Sequence, residues 1–450
     1  MAKASSALHR REHLFLKPTH SLRGADKPAQ TTLKSAKPNC QMNICYIAST
    51  IEIPYRAGLG SGGSTHAYEV AKTLAGMGDA VHVLCRRSLP GQVKRERLGD
   101  VVIHRLFHWD STAYKALKSR ALLWRAARGS YYLFRSILHT IQILRLAWKE
   151  RFAVIYERSS SSTLAGTCAA WILRLPLVLE VNDQGYQPLS LRVARKIVTP
   201  ERDMVPCHAR KKVIPLEWGV STRMFHPSVD GSVVRREYGI EQRDVILFLG
   251  SGLPWHGLRE IVEAAPLVLR STSNVVFLIV GGGPEISAWE RMVGERGLRE
   301  WFRFTGAVEY AQVPAYVAAS DIALAPYNSR LAEHERHRFA SSLKVFEYMA
   351  GGKAAVVTRI GNTRRIIEDS QTGLVIPEDS PDALAAAILR LLRAPVFRRS
   401  LGERARTVAE KRFSWERHCS ALREVFAATT QSSHEKRHSF CSRPRPEWKL

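Results

Sequence analysis

The chain has 450 residues, 45% hydrophobic and 24% charged. That is the composition of an ordinary globular protein, long enough for two to three domains with full cores. Lys and Arg number 67 against 41 Asp and Glu, a net charge of +26, which points to nucleic acid, an anionic membrane surface or anionic substrates as partners and says nothing of fold. No run of about 18 apolar residues occurs, so no membrane-spanning helix is expected. The seven cysteines (Cys40, Cys45, Cys85, Cys168, Cys207, Cys419, Cys441) are scattered and form no CxxC pair. They signal neither structural zinc nor a disulfide framework, and a reducing cytoplasm suits them best.

In chain order, residues 1–40 read as a disordered basic leader with no secretory pattern. Residues 43–50 form a short apolar strand run, followed by a glycine-rich turn and a helical period over 64–77. Strand runs follow at 80–85, 101–107, 153–156 and 177–181. The pattern restarts after Pro227 and Gly231, with strands at 245–250, 275–280, 322–326 and 354–358 separated by helix-length segments. Two successive βαβ series predict two doubly wound parallel sheets, a Rossmann-like α/β class in which ligands lie beyond the C-terminal strand ends. The expected domains are 41–225 and 226–412, a crossing C-terminal helix over 413–430, and a disordered tail over 431–450.

Three glycine-rich turns follow strands and open helices: GLGSGG at 58–63, GSGLPWHG at 250–257 and GGGP at 281–284. Glycine lets backbone N–H groups approach an anion, and a helix N-terminus adds about half a positive charge. One such turn reads equally as a flexible loop; several at consecutive strand ends point to a phosphate-bearing ligand. The first lacks the dinucleotide spacing, and Arg86 and Arg87 stand where an acidic ribose ligand would, which disfavours a nicotinamide dehydrogenase. In SSLKVFEYMAGGK (341–353), Ser341 and Ser342 are placed to cap a helix whose N–H groups face an anion. Glu347 follows about two turns later, within reach of a ribose diol.

These segments, in this order, resemble the retaining nucleotide-sugar glycosyltransferases of family 4, the group 1 glycosyl transferases, with the two-domain GT-B fold. The resemblance runs from about residue 42 to 426. It is carried by GGSTHAYEVAKTLAGMG (62–78), VIYER (154–158), PLVLEVND (176–183), VIPLEWGV (213–220), FTGAV (304–308), AASDIALAPY (318–327) and DSQTGLVIP (369–377), with the turns already named. It implies that Glu347 binds the donor ribose and that Gly306 and Val308 line the base pocket. Amides near Ser341 and Ser342, with those of Gly62 and Gly63, would hold the diphosphate. The diphosphate's usual Arg and Lys fall at Ser251 and His256. The first glutamate of the family's paired signature falls at Phe339, and the catalytic histidine position at Arg158. Lys344 or Arg158 would then supply the missing positive charge, and a protonated His256 would help. Transfer by front-face departure of a nucleoside diphosphate needs no protein nucleophile, and the family needs no metal or other cofactor. A metal reading of His66, His256 and the 333–337 cluster finds no HExxH to support it.

Residues 115–151 hold nine Lys and Arg and a single acid, Glu150. Phe134, Ile137, Leu138, Ile141, Leu144 and Trp148 share one helical face, and Arg128, Arg135 and Lys149 another. Such a helix suits an anionic membrane surface, or its apolar stripe packs on the first sheet. The expected function is transfer of a sugar from an NDP-sugar to a lipid-linked or cell-surface glycan, with retention, in the cytoplasm and peripheral on the inner membrane face. The alternative is a degenerate GT-B protein that binds nucleotide, glycan or a protein without catalysis. Nucleic-acid binding rests on charge alone and is not expected.

Overall fold

The computed structural model describes residues 41–53, 62–87, 93–106, 121–182, 185–330 and 342–441, and of 121–128, 361–363, 369 and 432–441 the backbone alone. The first half runs β1 (Asn43–Ala48), α1 (Gly62–Gly76), β2 (Ala80–Arg86), β3 (Arg95–Leu98), β4 (Val101–Leu106), α2 (Ala121–Glu150), β5 (Val154–Arg158), α3 (Ala165–Leu173), β6 (Leu177–Glu180), α4 (Pro188–Val193), β7 (Lys196–Thr199) and β8 (Val213–Pro215). These strands form one sheet in the order β3-β4-β2-β1-β5-β6-β7-β8. Only β3 runs antiparallel.

The second half begins with α5 (Ser232–Tyr238), β9 (Asp244–Leu249), α6 (Leu258–Leu269), β10 (Val275–Val280), α7 (Ile286–Glu295), β11 (Phe302–Gly306), α8 (Val313–Ala319) and β12 (Ile322–Ala325). It continues with α9 (Leu343–Ala350), β13 (Ala354–Thr358), α10 (Gly361–Ser370), β14 (Gly373–Ile376), α11 (Pro381–Arg393) and α12 (Pro395–Arg412). Its sheet, ordered β11-β10-β9-β12-β13-β14, is parallel throughout.

Strand periodicity builds a core on each face of both sheets. In β9, Val245, Leu247 and Leu249 join the layer under α8, α9 and α12, while Ile246 and Phe248 join the layer under α6, α7 and α11. In β1, Ile44, Tyr46 and Ala48 face α1, and Cys45 and Ile47 face α2 and α3. Successive side chains of a strand alternate faces, so a strand covered on both sides must be apolar throughout. That is why these segments stand out in the sequence. The strands the sequence reading passes over are short or polar: β3 is RERL and pairs at the sheet edge, and β7, β8 and β14 have three or four residues.

Strand order reverses between β1 and β5 in the first sheet and between β9 and β12 in the second. Such switch points open crevices at the C-terminal strand ends. Arg158 ends β5 at one; the 250–257 loop leaves β9 at the other. The chain crosses between the halves twice, and the crossings are bonded together: Val220 N–H donates to the Phe413 carbonyl (2.7 Å), and Trp415 N–H to that of Val220 (3.2 Å). α13 (Trp415–Cys441) then packs Trp415, Cys419, Leu422, Val425 and Phe426 into the first-half core with α1. It runs past residue 430, where the sequence reading ends the helix, because 431–441 contains no Gly or Pro to stop it.

Candidate functional site

α9 is fixed at the second switch point by Tyr348. Its hydroxyl accepts from Leu249 N–H of β9 (2.9 Å) and donates to the Leu324 carbonyl of β12 (3.2 Å). At the other end, Arg406 of α12 donates to the Ala350 carbonyl (2.8 Å) and to the linker carbonyl of Phe225. The helix N-terminus is thereby aimed at the glycine loops. Gly250 and Gly281 stack backbone on backbone there. Their φ angles are 144° and 130°, and a Cβ on Gly281 would sit 2.0 Å from the Gly250 carbonyl oxygen, so only glycine allows this approach.

Lys344, in the first turn of α9, is 7% exposed. Its Nζ lies 4.7 Å and 4.8 Å from the ring centres of Phe248 and Tyr327, and a Cβ on Gly250 would meet it at 2.9 Å. The ammonium is buried with no hydrogen-bond partner among the described residues. Burial pulls its pKa down to about 7, with Glu347 opposing. Glu347, one turn on, accepts a hydrogen bond from Tyr310 (3.0 Å). Burial pushes its carboxyl up to about 7, against that bond and the Lys344 charge. Among the described residues, two aromatic faces and one carboxylate leave the ammonium's three N–H donors unmet, a place that an accepting anion would complete.

The remaining predicted residues fall as follows. Ser342 stands at the N-cap of α9 but does not cap it. Its hydroxyl pairs with that of Tyr327 (2.7 Å), which corrects the capping expectation: the buried phenol takes the hydroxyl and leaves the helix N–H groups to others. Ser341 lies outside the described residues, as do Phe339, the 333–337 cluster and residues 58–61. Ser251 is exposed, and its carbonyl accepts from His256 Nδ1. His256 itself is buried. Burial and then Lys344 pull its pKa well below the ordinary value, against the Ser251 bond. It is therefore neutral until an adjacent anion raises its pKa, the condition under which the protonated ring is expected. Gly306 ends β11 at φ 69°, its carbonyl accepting from Gly281 N–H (2.9 Å). Val308 packs beside it on the core. Gly62 and Gly63 open α1, and a Cβ on Gly62 would lie 3.5 Å from Leu343. The starts of α1 and α9 thus meet across the cleft.

Arg158 does not join this group. It pairs with Glu180 at 3.2 Å. Glu180 also takes His66 Nε2 at 2.5 Å, Tyr46 hydroxyl at 2.9 Å and Asn182. Burial alone would raise the Glu180 pKa; the Arg158 charge and the hydrogen bonds from His66 and Asn182 outweigh it and hold the carboxyl well below its usual range. Burial keeps His66 neutral in spite of Glu180, so the pair of charges is Glu180 and Arg158. Sequence reasoning missed Glu180, although a glutamate inside the apolar run LVLE is itself a signal. It also missed Tyr310 and Tyr327, which sit in or beside quoted motifs. Among the described residues no group of three His, Cys, Asp or Glu converges to hold a metal.

The basic helix α2 is turned opposite to the packing expectation. Ser136, His139, Thr140, Ile143 and Ala147 are buried, while Leu133, Phe134, Ile137, Ile141 and Trp148 are exposed, Trp148 by 86%. The small polar face can come close because its hydroxyls are met locally: Ser136 accepts from Leu164 N–H (3.2 Å), and Thr140 donates to the Ser136 carbonyl (2.7 Å). Arg135 is not on a free basic face either. It donates to Ser162 (2.6 Å) and stacks over Tyr131 and Tyr132. Side chains before residue 129 lie outside the description. No described helix is long and apolar enough to cross a membrane.

Residues 243–394 match the family Glycosyl transferases group 1. Over 181 residues the chain is 27% identical to the alpha-D-kanosaminyltransferase of Streptomyces kanamyceticus, covering 40% of this chain and 45% of that protein. Over 215 residues it is 27% identical to a GDP-mannose-dependent phosphatidylinositol monomannoside mannosyltransferase of Mycolicibacterium smegmatis, covering 48% and 56%. The chain thus spans about half the length of these curated relatives. Among solved structures it superposes on sucrose-phosphate synthase from Thermosynechococcus elongatus with a TM-score of 0.65 and 16% identity, covering 87% of this chain and all of that one. On Anabaena HepE in complex with UDP the TM-score is 0.61 at 16% identity, covering 86% and all of that chain. The fold is GT-B.

Proposed function

We propose that the protein is a retaining glycosyltransferase that moves a sugar from a nucleoside diphosphate sugar to a lipid-linked or cell-surface glycan. The observation that carries this reading is the buried ammonium of Lys344, without a hydrogen-bond partner among the described residues, between the glycine loops and the start of α9, one turn from Glu347. A diphosphate accepts from Lys344 and from amides of both helix starts, those of Gly62 and Gly63 included, and the ribose diol donates to Glu347. Gly306 and Val308 flank the base. As the sugar C1–O bond to phosphate breaks, the leaving group gains charge beside Lys344, where a preorganised cation in a dry site counts most. The acceptor oxygen bonds C1 on the same face, and its proton passes to the departing phosphate oxygen. No nucleophile and no metal take part in this reading. Arg158, held by Glu180 at the end of β5, would act from the first sheet's switch point, on the acceptor side. The HepE structure holds UDP and the mycobacterial relative uses GDP-mannose by name; both support a nucleotide-sugar donor. The C-terminal end of α2, where Trp148 stands exposed beside Arg145 and Lys149 and outside the groove described below, docks on an anionic membrane surface at the cytoplasmic face.

Calorimetry with UDP, GDP and ADP tests the donor site: one of them binds wild type, and Lys344→Met loses it. Absence of binding by all three, and by their sugars, would overturn the reading. Binding without transfer to any lipid-linked or glycan acceptor would favour the alternative of a nucleotide-binding protein without catalysis.

A further inference from the structure

A groove of about 500 Å³ lies between α2, the 162–164 loop and α3. Its wall is built from Leu133, Ile137, Ile141, Leu144, Leu164 and Ile172. No Asp or Glu is among its lining residues. The size is that of a small-molecule site, and the stripe that forms its rim is the one α2 turns to solvent, with Leu133 63% and Ile137 50% exposed. An exposed apolar surface rimmed by polar groups marks an interaction site.

The 159–162 segment connects this groove to Arg158: Ser162 lines the groove and lies four residues beyond Arg158, a reach of at most about 14 Å. Gln187 also lines it and holds this segment through its amide, which donates to the Ser161 carbonyl. At the same edge the Arg135 guanidinium is held on Ser162, and its Nε–H has no partner among the described residues. A cation therefore stands where the apolar groove meets the path to the cleft.

We infer that this groove seats the hydrocarbon chain of a lipid-phosphate acceptor, with its phosphate toward Arg135 and its reacting hydroxyl or glycan toward the cleft. The inference rests on the transferase reading and narrows its acceptor to a molecule with one chain beside an anionic group. An apolar chain fits a wall without acidic residues. A phosphate fits the half-buried Arg135 guanidinium at its edge, and the 159–162 segment leads the head group toward the Arg158–Glu180 pair.

Cys168 lines the groove, and Cys207 is exposed elsewhere, so the two thiols give a site readout and an internal control. Full-length protein is alkylated with iodoacetamide with and without farnesyl phosphate, and each cysteine peptide is followed by mass spectrometry. At about ten times the dissociation constant, occupancy leaves roughly a tenth of sites open and slows Cys168 alkylation about tenfold, with Cys207 unchanged. Ile137→Glu, at a half-exposed position that tolerates a polar side chain, loses this protection; Ile137→Leu keeps it. Arg135→Gln weakens protection by farnesyl phosphate but not by farnesol. Unslowed Cys168 in wild type overturns the inference. So does protection by anionic vesicles lacking the prenyl chain, which would make the groove a bilayer contact, or protection that rises with protein concentration alone, which would make it a contact between copies. UDP, GDP and ADP binding is measured on the same sample. Nucleotide binding without Cys168 protection sinks the groove alone; protection without nucleotide binding sinks the transferase reading and leaves the groove.

Discussion

Each half of the molecule buries a cluster of charge at its switch point, and the two are solved in opposite ways. In the first half Glu180 is met from every side, by His66, Arg158, Tyr46 and Asn182. Its carboxyl is held well below the usual range, so the cluster favours its charged state and the fold together. In the second half Lys344 has two aromatic faces and one carboxylate. Both it and Glu347 are driven toward neutrality, near 7. A charge that the fold completes is architecture; a charge that the fold strains is reserved for a ligand.

The largest test sets the two cations against each other. Arg158→Met leaves Glu180 buried with only neutral donors and is expected to lower stability by about 3–5 kcal/mol, the usual cost of breaking a buried pair. Lys344→Met should do the reverse. The lysine's pKa is depressed from the unfolded value to about 7, so at neutral pH the unfolded chain binds the extra proton and folding is penalised by up to about 4 kcal/mol. Removing it raises the melting temperature while nucleoside diphosphate binding is lost. Parallel destabilisation of both variants in thermal melts would erase the contrast.

Glu347→Ala removes the acceptor proposed for the ribose diol, and about 1.5–3 kcal/mol for a charged hydrogen bond corresponds to roughly a 10- to 150-fold loss in nucleotide affinity. A folded variant that binds UDP, GDP or ADP as wild type does would exclude that role.

The pH dependence sharpens the same comparison. Above about pH 7 the free Lys344 loses its proton, and a bound diphosphate restores it, so binding takes up a proton. Affinity should fall as pH rises from 7 to 9, by at most about tenfold per unit. Calorimetry in buffers of different ionisation enthalpy measures the uptake directly, and release of a proton would contradict it. In the first half the sign differs: the stability from Glu180 is full above the unfolded carboxyl value and is lost as pH falls below it.

The smallest effect is Tyr310→Phe. Losing its bond to Glu347 costs about 0.5–1.5 kcal/mol and lifts the Glu347 pKa further. Nucleotide affinity at pH 7 therefore drops by about threefold to tenfold and recovers partly by pH 8. A loss that stays constant across pH would make Tyr310 a contact rather than a positioning residue.

The sequence alone determined the two-sheet plan, because strands buried on both faces must be apolar throughout and VILFLG, VVFLIV and NICYIA cannot be read otherwise. It also placed the glycine loops and Lys344 with Glu347, since neighbours in one helix stay neighbours in space. Tertiary structure decided whatever depends on partners distant in the chain. Ser342 gives its hydroxyl to Tyr327 instead of capping a helix, and His256 is neutral because the fold buries it and, second, sets it beside Lys344, 88 positions on. Arg158 belongs to Glu180, across a strand pair, rather than to the diphosphate. The periodicity of α2 showed an apolar stripe but not its direction. A helix buries whichever face best satisfies its contacts, and here the hydroxyls of Ser136 and Thr140, matched to the 163–165 loop, took the inside and left the stripe to water.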